Sequence, residues 1–180
     1  IANKQNIATW DNSNLQNFDI GIGNISDNGW VKSSGVLFFL GYDGIYSTTG
    51  GLPKLISLKI SDYFSGATKA GKEAGAMGKK GNSIFCSIGD ITLYHPDGSV
   101  KESLVDVVIE YNLVQDNFFI HTGISATHFA SYLTSDNTDR LEYCDDGTNC
   151  NVYEFLRSGS AVDDEDVTNK EILFEVESNC

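Results

Sequence analysis

Apolar and polar positions alternate most cleanly between Ile84 and Val114. Ile84, Cys86 and Ile88 share one side of an extended chain, and Ile91-Thr92-Leu93-Tyr94 continues it before His95-Pro96-Asp97-Gly98 turns the backbone. Proline presets φ for the turn and glycine accepts positive φ, so the turn has a mechanism. On the return strand Val105, Val107, Ile109, Tyr111 and Leu113 fall on one side, with Asp106, Glu110 and Asn112 on the other. A period of two is the signature of a half-buried strand, and the stretch is predicted to be a β-hairpin.

The same pattern marks shorter strands on either side. Phe18, Ile20 and Ile22 alternate with polar or small residues, Asp27-Asn28-Gly29 reads as a turn, and Trp30-Val31 opens another extended piece. Val36 to Leu40 is apolar on both faces and is expected to be a central, doubly covered strand. Ile56, Leu58 and Ile60 alternate with Ser57 and Lys59, and Phe118 to Ile120 forms another short strand. Val152 to Arg157 fits a strand or a single helical turn. Near the C-terminus Ile172, Phe174 and Val176 oppose Glu171, Glu175 and Glu177. Ser125 to Thr134 is the best helix candidate, with Ser125 at the N-cap position and Phe129, Tyr132 and Leu133 on one face. Residues 65–82 hold five glycines and four lysines. Each glycine costs about 1 kcal/mol against alanine in a helix, so this stretch is expected to be a flexible Gly/Lys-rich loop.

Many short strands separated by Gly, Asn and Asp turns predict a mainly β protein, an antiparallel β-sandwich or jelly-roll-like fold with one or two short helices. With 180 residues and 41% apolar content, residues 1–180 are expected to be a single domain. The polar segment 1–17 is the candidate for a strand exchanged between copies.

Charge narrows the partners. A net charge of −13 and a pI near 4.4 argue against nucleic acid, because phosphate recognition needs clustered Lys and Arg. The longest apolar run, Val36 to Leu40, is far short of the roughly 20 residues of a membrane helix, so no membrane insertion is expected. The chain starts at Ile1, and removal of a leader segment is the expectation drawn from that. Cys86, Cys144, Cys150 and Cys180 are even in number with no zinc-like spacing. They are expected to pair as Cys144–Cys150 and Cys86–Cys180 in an oxidising compartment, which points to a secreted or cell-surface protein.

Candidate chemistry is sparse. His95, His121 and His128 lack metal-ligand spacing, and there is no Gly-x-Ser-x-Gly elbow, so no catalytic residue and no cofactor are expected. Calcium is the one ion the composition admits, at Asp145, Asp146 and Asn149 or at Asp163, Asp164 and Asp166. Neither run matches the calcium-loop pattern, and acidic runs are usually solvated faces. Asn24-Ile25-Ser26 is a glycosylation sequon.

Acidic residues are unevenly spread. From Thr134 onward thirteen acids face three bases, a net of −10, while the first 133 residues carry twelve acids and nine bases, a net of −3. Lys69, Lys72, Lys79 and Lys80 cluster in the glycine-rich stretch and are expected to meet an acidic surface of another copy. The leading expectation is a structural or adhesive extracellular protein, a self-assembling fibre or pilus-like subunit joined by β-strand addition, with Ile1, Ile7 and Trp10 in the donor segment. A carbohydrate- or ligand-binding module using Trp10, Trp30 and Tyr42 is the first alternative, and a secreted hydrolase the second.

Overall fold

The computed structural model describes residues 22–145 and 151–155. The N-terminal segment 1–17, the strand expected over 18–22 apart from its last residue, and the strand expected over 171–177 lie outside them.

The fold is mainly antiparallel β, as the pattern predicts, and is built from three sheets. The first runs β1 (Trp30–Ser33), β2 (Val36–Leu40), β3 (Ile45–Thr48) and β4 (Lys54–Leu55) in spatial order. The second runs β5 (Met77–Lys80), β6 (Ser83–Tyr94), β7 (Val100–Asn112) and β8 (Asn117–His121). The third is β9 (His128–Leu133), β10 (Asp139–Cys144) and β11 (Val152–Glu154), with β10 in the middle. Two short helices, α1 (Ser61–Gly66) and α2 (Lys69–Glu73), join the first sheet to the second.

The second sheet is the centre of the molecule because both its faces are covered. On one face Ile84, Cys86, Ile88, Val107 and Ile109 pack with Phe38, Leu40 and Ile45 of the first sheet and with Phe64 of α1. On the other, Phe85 and Val108 pack with Leu141 and Tyr143 of the third sheet and with Phe155 just after β11. Residues 84–88 are therefore all buried despite their alternation. The doubly covered strand is β6 and not Val36–Leu40, where Leu37 is exposed.

Three other expectations change. Ile56 to Ile60 is not a strand but a turn of 3-10 helix running into α1, whose Phe64 supplies the buried anchor. Residues 65–82 are not a loop, since they form the end of α1, α2 and β5. Their glycines mark close approach: a Cβ at Gly71 would lie 2.6 Å from the Ile88 carbonyl oxygen, and one at Gly78 would lie 2.5 Å from Cβ of Phe129. Thr68 caps α2, accepting from the Gly71 N–H at 3.0 Å. The helix expected over 125–134 is instead β9, because His128–Leu133 finds a full-length partner in Asp139–Cys144.

The hairpin forms as predicted, with a correction at its middle. Gly89 pairs with Val107 and Ile91 with Leu104, so Asp90 stands opposite both Val105 and Asp106. This bulge puts Asp106 at φ +50° and ties its N–H to Oδ1 of Asp90 at 3.0 Å. It also shifts the facing of one residue, leaving Val105 58% exposed while Val107 is buried.

Candidate functional site

The histidines belong to local polar networks. Glu110 of β7 accepts from Ser83 Oγ of β6 at 2.6 Å and pairs with His121 Nε2 of β8 at 3.0 Å. The His121 ring also meets Phe155 edge-on, with centroids 5.7 Å apart. His128 Nε2 lies 2.9 Å from Asn28 Nδ2, and the His95 backbone belongs to the hairpin turn. Among the described residues no group of three or more His, Cys, Asp or Glu side chains could hold a metal ion. Of the calcium candidates, Asp145 accepts from the Tyr153 hydroxyl at 3.3 Å. Asp146, Asn149, Asp163, Asp164 and Asp166 lie outside the described residues.

Cys86 is a free thiol on the inward face of β6, fully buried, and burial pushes it away from the thiolate form. It points into the first core and is unpaired among the described residues, where the sequence predicts a bridge to Cys180. Cys150 and Cys180 lie outside the described residues.

Two of the four lysines of 65–82 are engaged within the fold. Lys72 is buried, its Nζ donating to the carbonyl oxygens of Tyr42 and Phe64, each at 3.0 Å. Lys80 Nζ donates to the Phe155 carbonyl at 2.9 Å, and desolvation lowers its pKa against the opposing pull of Glu154 and Asp139. Lys69 pairs with Glu73 one helical turn on. Lys79 is half-buried, its backbone held by Ser131. Ile1, Ile7 and Trp10 lie outside the described residues. Of the aromatic platform, Trp30 is 54% exposed and Tyr42 46% exposed, with the Tyr42 hydroxyl donating to Glu73.

A cavity of about 280 Å³ opens beside the hairpin bulge, lined by Thr68, Gly71, Asp90, Asp106, Ser125 and Thr127 among others. Its lining is more apolar than polar, with Ala74, Ile124 and Ala126 beside a few hydroxyls and carboxylates; Asp90 is partly committed to the Asp106 N–H, and no histidine is among its lining residues.

The most distinctive feature is an edge. β8 pairs with β7 over Val108–Asn112 and with no other described strand. Its sequence, Asn-Phe-Phe-Ile-His, contains no Lys, Arg, Asp, Glu or Pro. Phe118 and Ile120 are half-buried at the rim of the first core, and Phe119 is 42% exposed on the opposite face. Tyr111 stacks on Phe118 at 4.7 Å and holds the strand from β7. Other edges are blunted. β4 has two residues and follows Pro53, β1 carries the exposed Lys32, and β11 has three residues. β9 lies against β5, where Ser131 Oγ donates to the Lys79 carbonyl at 2.6 Å and accepts from its N–H at 3.2 Å. A flat, uncharged, apolar edge strand is a template for pairing with another chain. No family model matches the chain, and no curated protein matches it.

Proposed function

We propose that this chain is a structural or adhesive subunit of an extracellular assembly, joining copies by β-strand addition at β8. The observation that carries the reading is the outer edge of Asn117–His121, apolar, uncharged and without a described strand beside it. An added strand would recover main-chain hydrogen bonds along that edge and cover Phe118, Phe119 and Ile120. Two donors have suitable chemistry: the segment 1–17 of another copy, and another copy's β8. The extracellular part rests on the close spacing of Cys144 and Cys150, typical of a small disulfide-closed loop in an oxidising compartment.

Sedimentation velocity and negative-stain electron microscopy of the full chain, with and without calcium, test this reading. Concentration-dependent oligomers or filaments are expected. A chain that stays monomeric at every concentration would overturn it. The alternative, a carbohydrate- or ligand-binding module, is favoured by the cavity beside the bulge, whose mainly apolar lining carries a few hydroxyl and carboxylate groups, and it would then take precedence.

A further inference from the structure

We infer that the strand added to β8 is the β8 of a second copy, antiparallel to the first, with Phe119 on the two-fold axis. The inference rests on the reading of β8 as the assembly edge and names its occupant. The sequence of the strand is self-complementary in that orientation. Asn117 falls opposite His121 of the second copy, Phe118 opposite Ile120, and Phe119 opposite Phe119, so polar meets polar and apolar meets apolar. Other antiparallel registers that keep like faces together, shifted by two, leave part of the five-residue strand unpaired.

Both faces of the joined sheet gain from this register. Phe118 and Ile120 already lie at the rim of the first core, so the cross-strand pair continues that core from one copy into the next. On the other face Phe119 stands directly opposite Glu110 within its own copy. Glu110 would repel a second acidic chain, but one of its oxygens takes the Ser83 hydroxyl and the other takes His121. Both Glu110 oxygens are thus engaged within their own copy, and β8 itself carries no carboxylate or ammonium on a molecule of net charge −13.

A five-residue strand is about 17 Å long and falls short of the roughly 1,200 Å² that stable specific interfaces bury. The pairing is therefore weak by itself, and because a two-fold contact closes with two copies, a filament needs a second contact. The outer side of β7 from Val100 to Leu104, which β8 does not reach, is one place for it.

Phe119→Cys in the full chain, mildly oxidised and mapped by peptide mass spectrometry without reduction, tests the register. A disulfide joining position 119 of two copies is expected, absent from the parent protein. Asn117→Cys alone should cross-link at least tenfold less, and an equimolar mixture of Asn117→Cys and His121→Cys chains should give the mixed dimer. Phe119→Lys, at a half-exposed position that leaves folding intact by circular dichroism, should weaken dimerisation at least tenfold. If oligomers form without a cross-link at 119 and disappear on deleting residues 1–17, the occupant is the N-terminal segment and this inference is wrong, while β8 stands as the edge. If the parent chain never associates, the reading of β8 falls with it.

Discussion

The two outer strands of the central sheet, β5 and β8, end the same sheet under opposite conditions. β5 is short and glycine-containing, and it is overlaid: Ser131 holds the Lys79 backbone from both sides, Asp139 accepts from the Gly81 N–H at 2.5 Å, and the Met77 N–H donates to the Asn28 carbonyl at 2.9 Å. β8 is apolar and presents Phe119 to solvent. An edge closed by neighbouring side chains on one side shows that this chain has the means to protect a sheet. Among the described residues β8 has no strand on its outer side, and its composition, without Lys, Arg, Asp, Glu or Pro, suits a partner.

The closed edge depends on Gly78, and the largest effect should come from filling the space above it. A Cβ there would lie 2.5 Å from Cβ of Phe129 and 2.9 Å from Cδ1 of Leu141, both in the third sheet. Gly78→Val should destabilise by about 3 kcal/mol or more, as overpacking between fixed neighbours does. Phe119→Lys at the open edge should cost less than about 0.5 kcal/mol. Urea denaturation of both variants makes the comparison directly. Equal midpoints would mean that the third sheet does not press on β5 as described.

A smaller change should make the closed edge resemble the open one. Ser131→Ala removes the hydroxyl that serves the Lys79 N–H and carbonyl together. Water can replace part of it at this exposed position, so the expected loss is about 1 kcal/mol. The freed edge should also raise self-association, read as a larger weight-average mass by sedimentation at matched concentration. An unchanged midpoint together with unchanged mass would show that Ser131 does not close the edge.

How much of this was legible in the sequence follows from which interactions are local. The hairpin obeys a period of two on both arms and carries a Pro-Asp-Gly turn, and Phe118 to Ile120 is apolar enough to mark β8 as a strand. Its place at the outside of the sheet is not local, because strand order depends on where the third sheet docks. The stretch 65–82 misleads for a related reason. Glycine content measures helix propensity, while Gly71 and Gly78 answer to backbone and side chains distant in sequence. Lys72 looks like a solvated charge until Tyr42 and Phe64 offer it two carbonyls. The bulge at Asp106 comes from a count of residues between two strands, which neither strand reveals alone. Ser125 has the side chain of an N-cap, but the segment after it pairs with β10, and ladder bonds outweigh a short helix.

The smallest expected effect lies at the root of the open edge and is read by pH. Tyr111 packs on Phe118 of β8, and its hydroxyl donates to Oδ1 of Asp116 in the turn between β7 and β8 at 2.9 Å. Burial first, then the hydrogen bond to Asp116 and its charge, push the phenol from 10.0 up to about 12. The Tyr111 hydrogen bond and the Lys59 ammonium hold the Asp116 carboxyl below its ordinary range. The folded chain keeps the phenolic proton more tightly than the unfolded chain, so this contribution is complete below pH 10 and disappears as pH rises toward about 12. Absorbance titration should show a tyrosine transition near pH 12 in the parent, beyond the upward shifts of Tyr46 and Tyr132, that is missing in Tyr111→Phe. The variant should also lose less stability across that window. Association through β8 should weaken in the parent over the same range, since the phenolate would face Asp116 and unsettle the turn that presents the strand. A late transition that survives Tyr111→Phe would assign it to another tyrosine and separate the root of β8 from the alkaline loss.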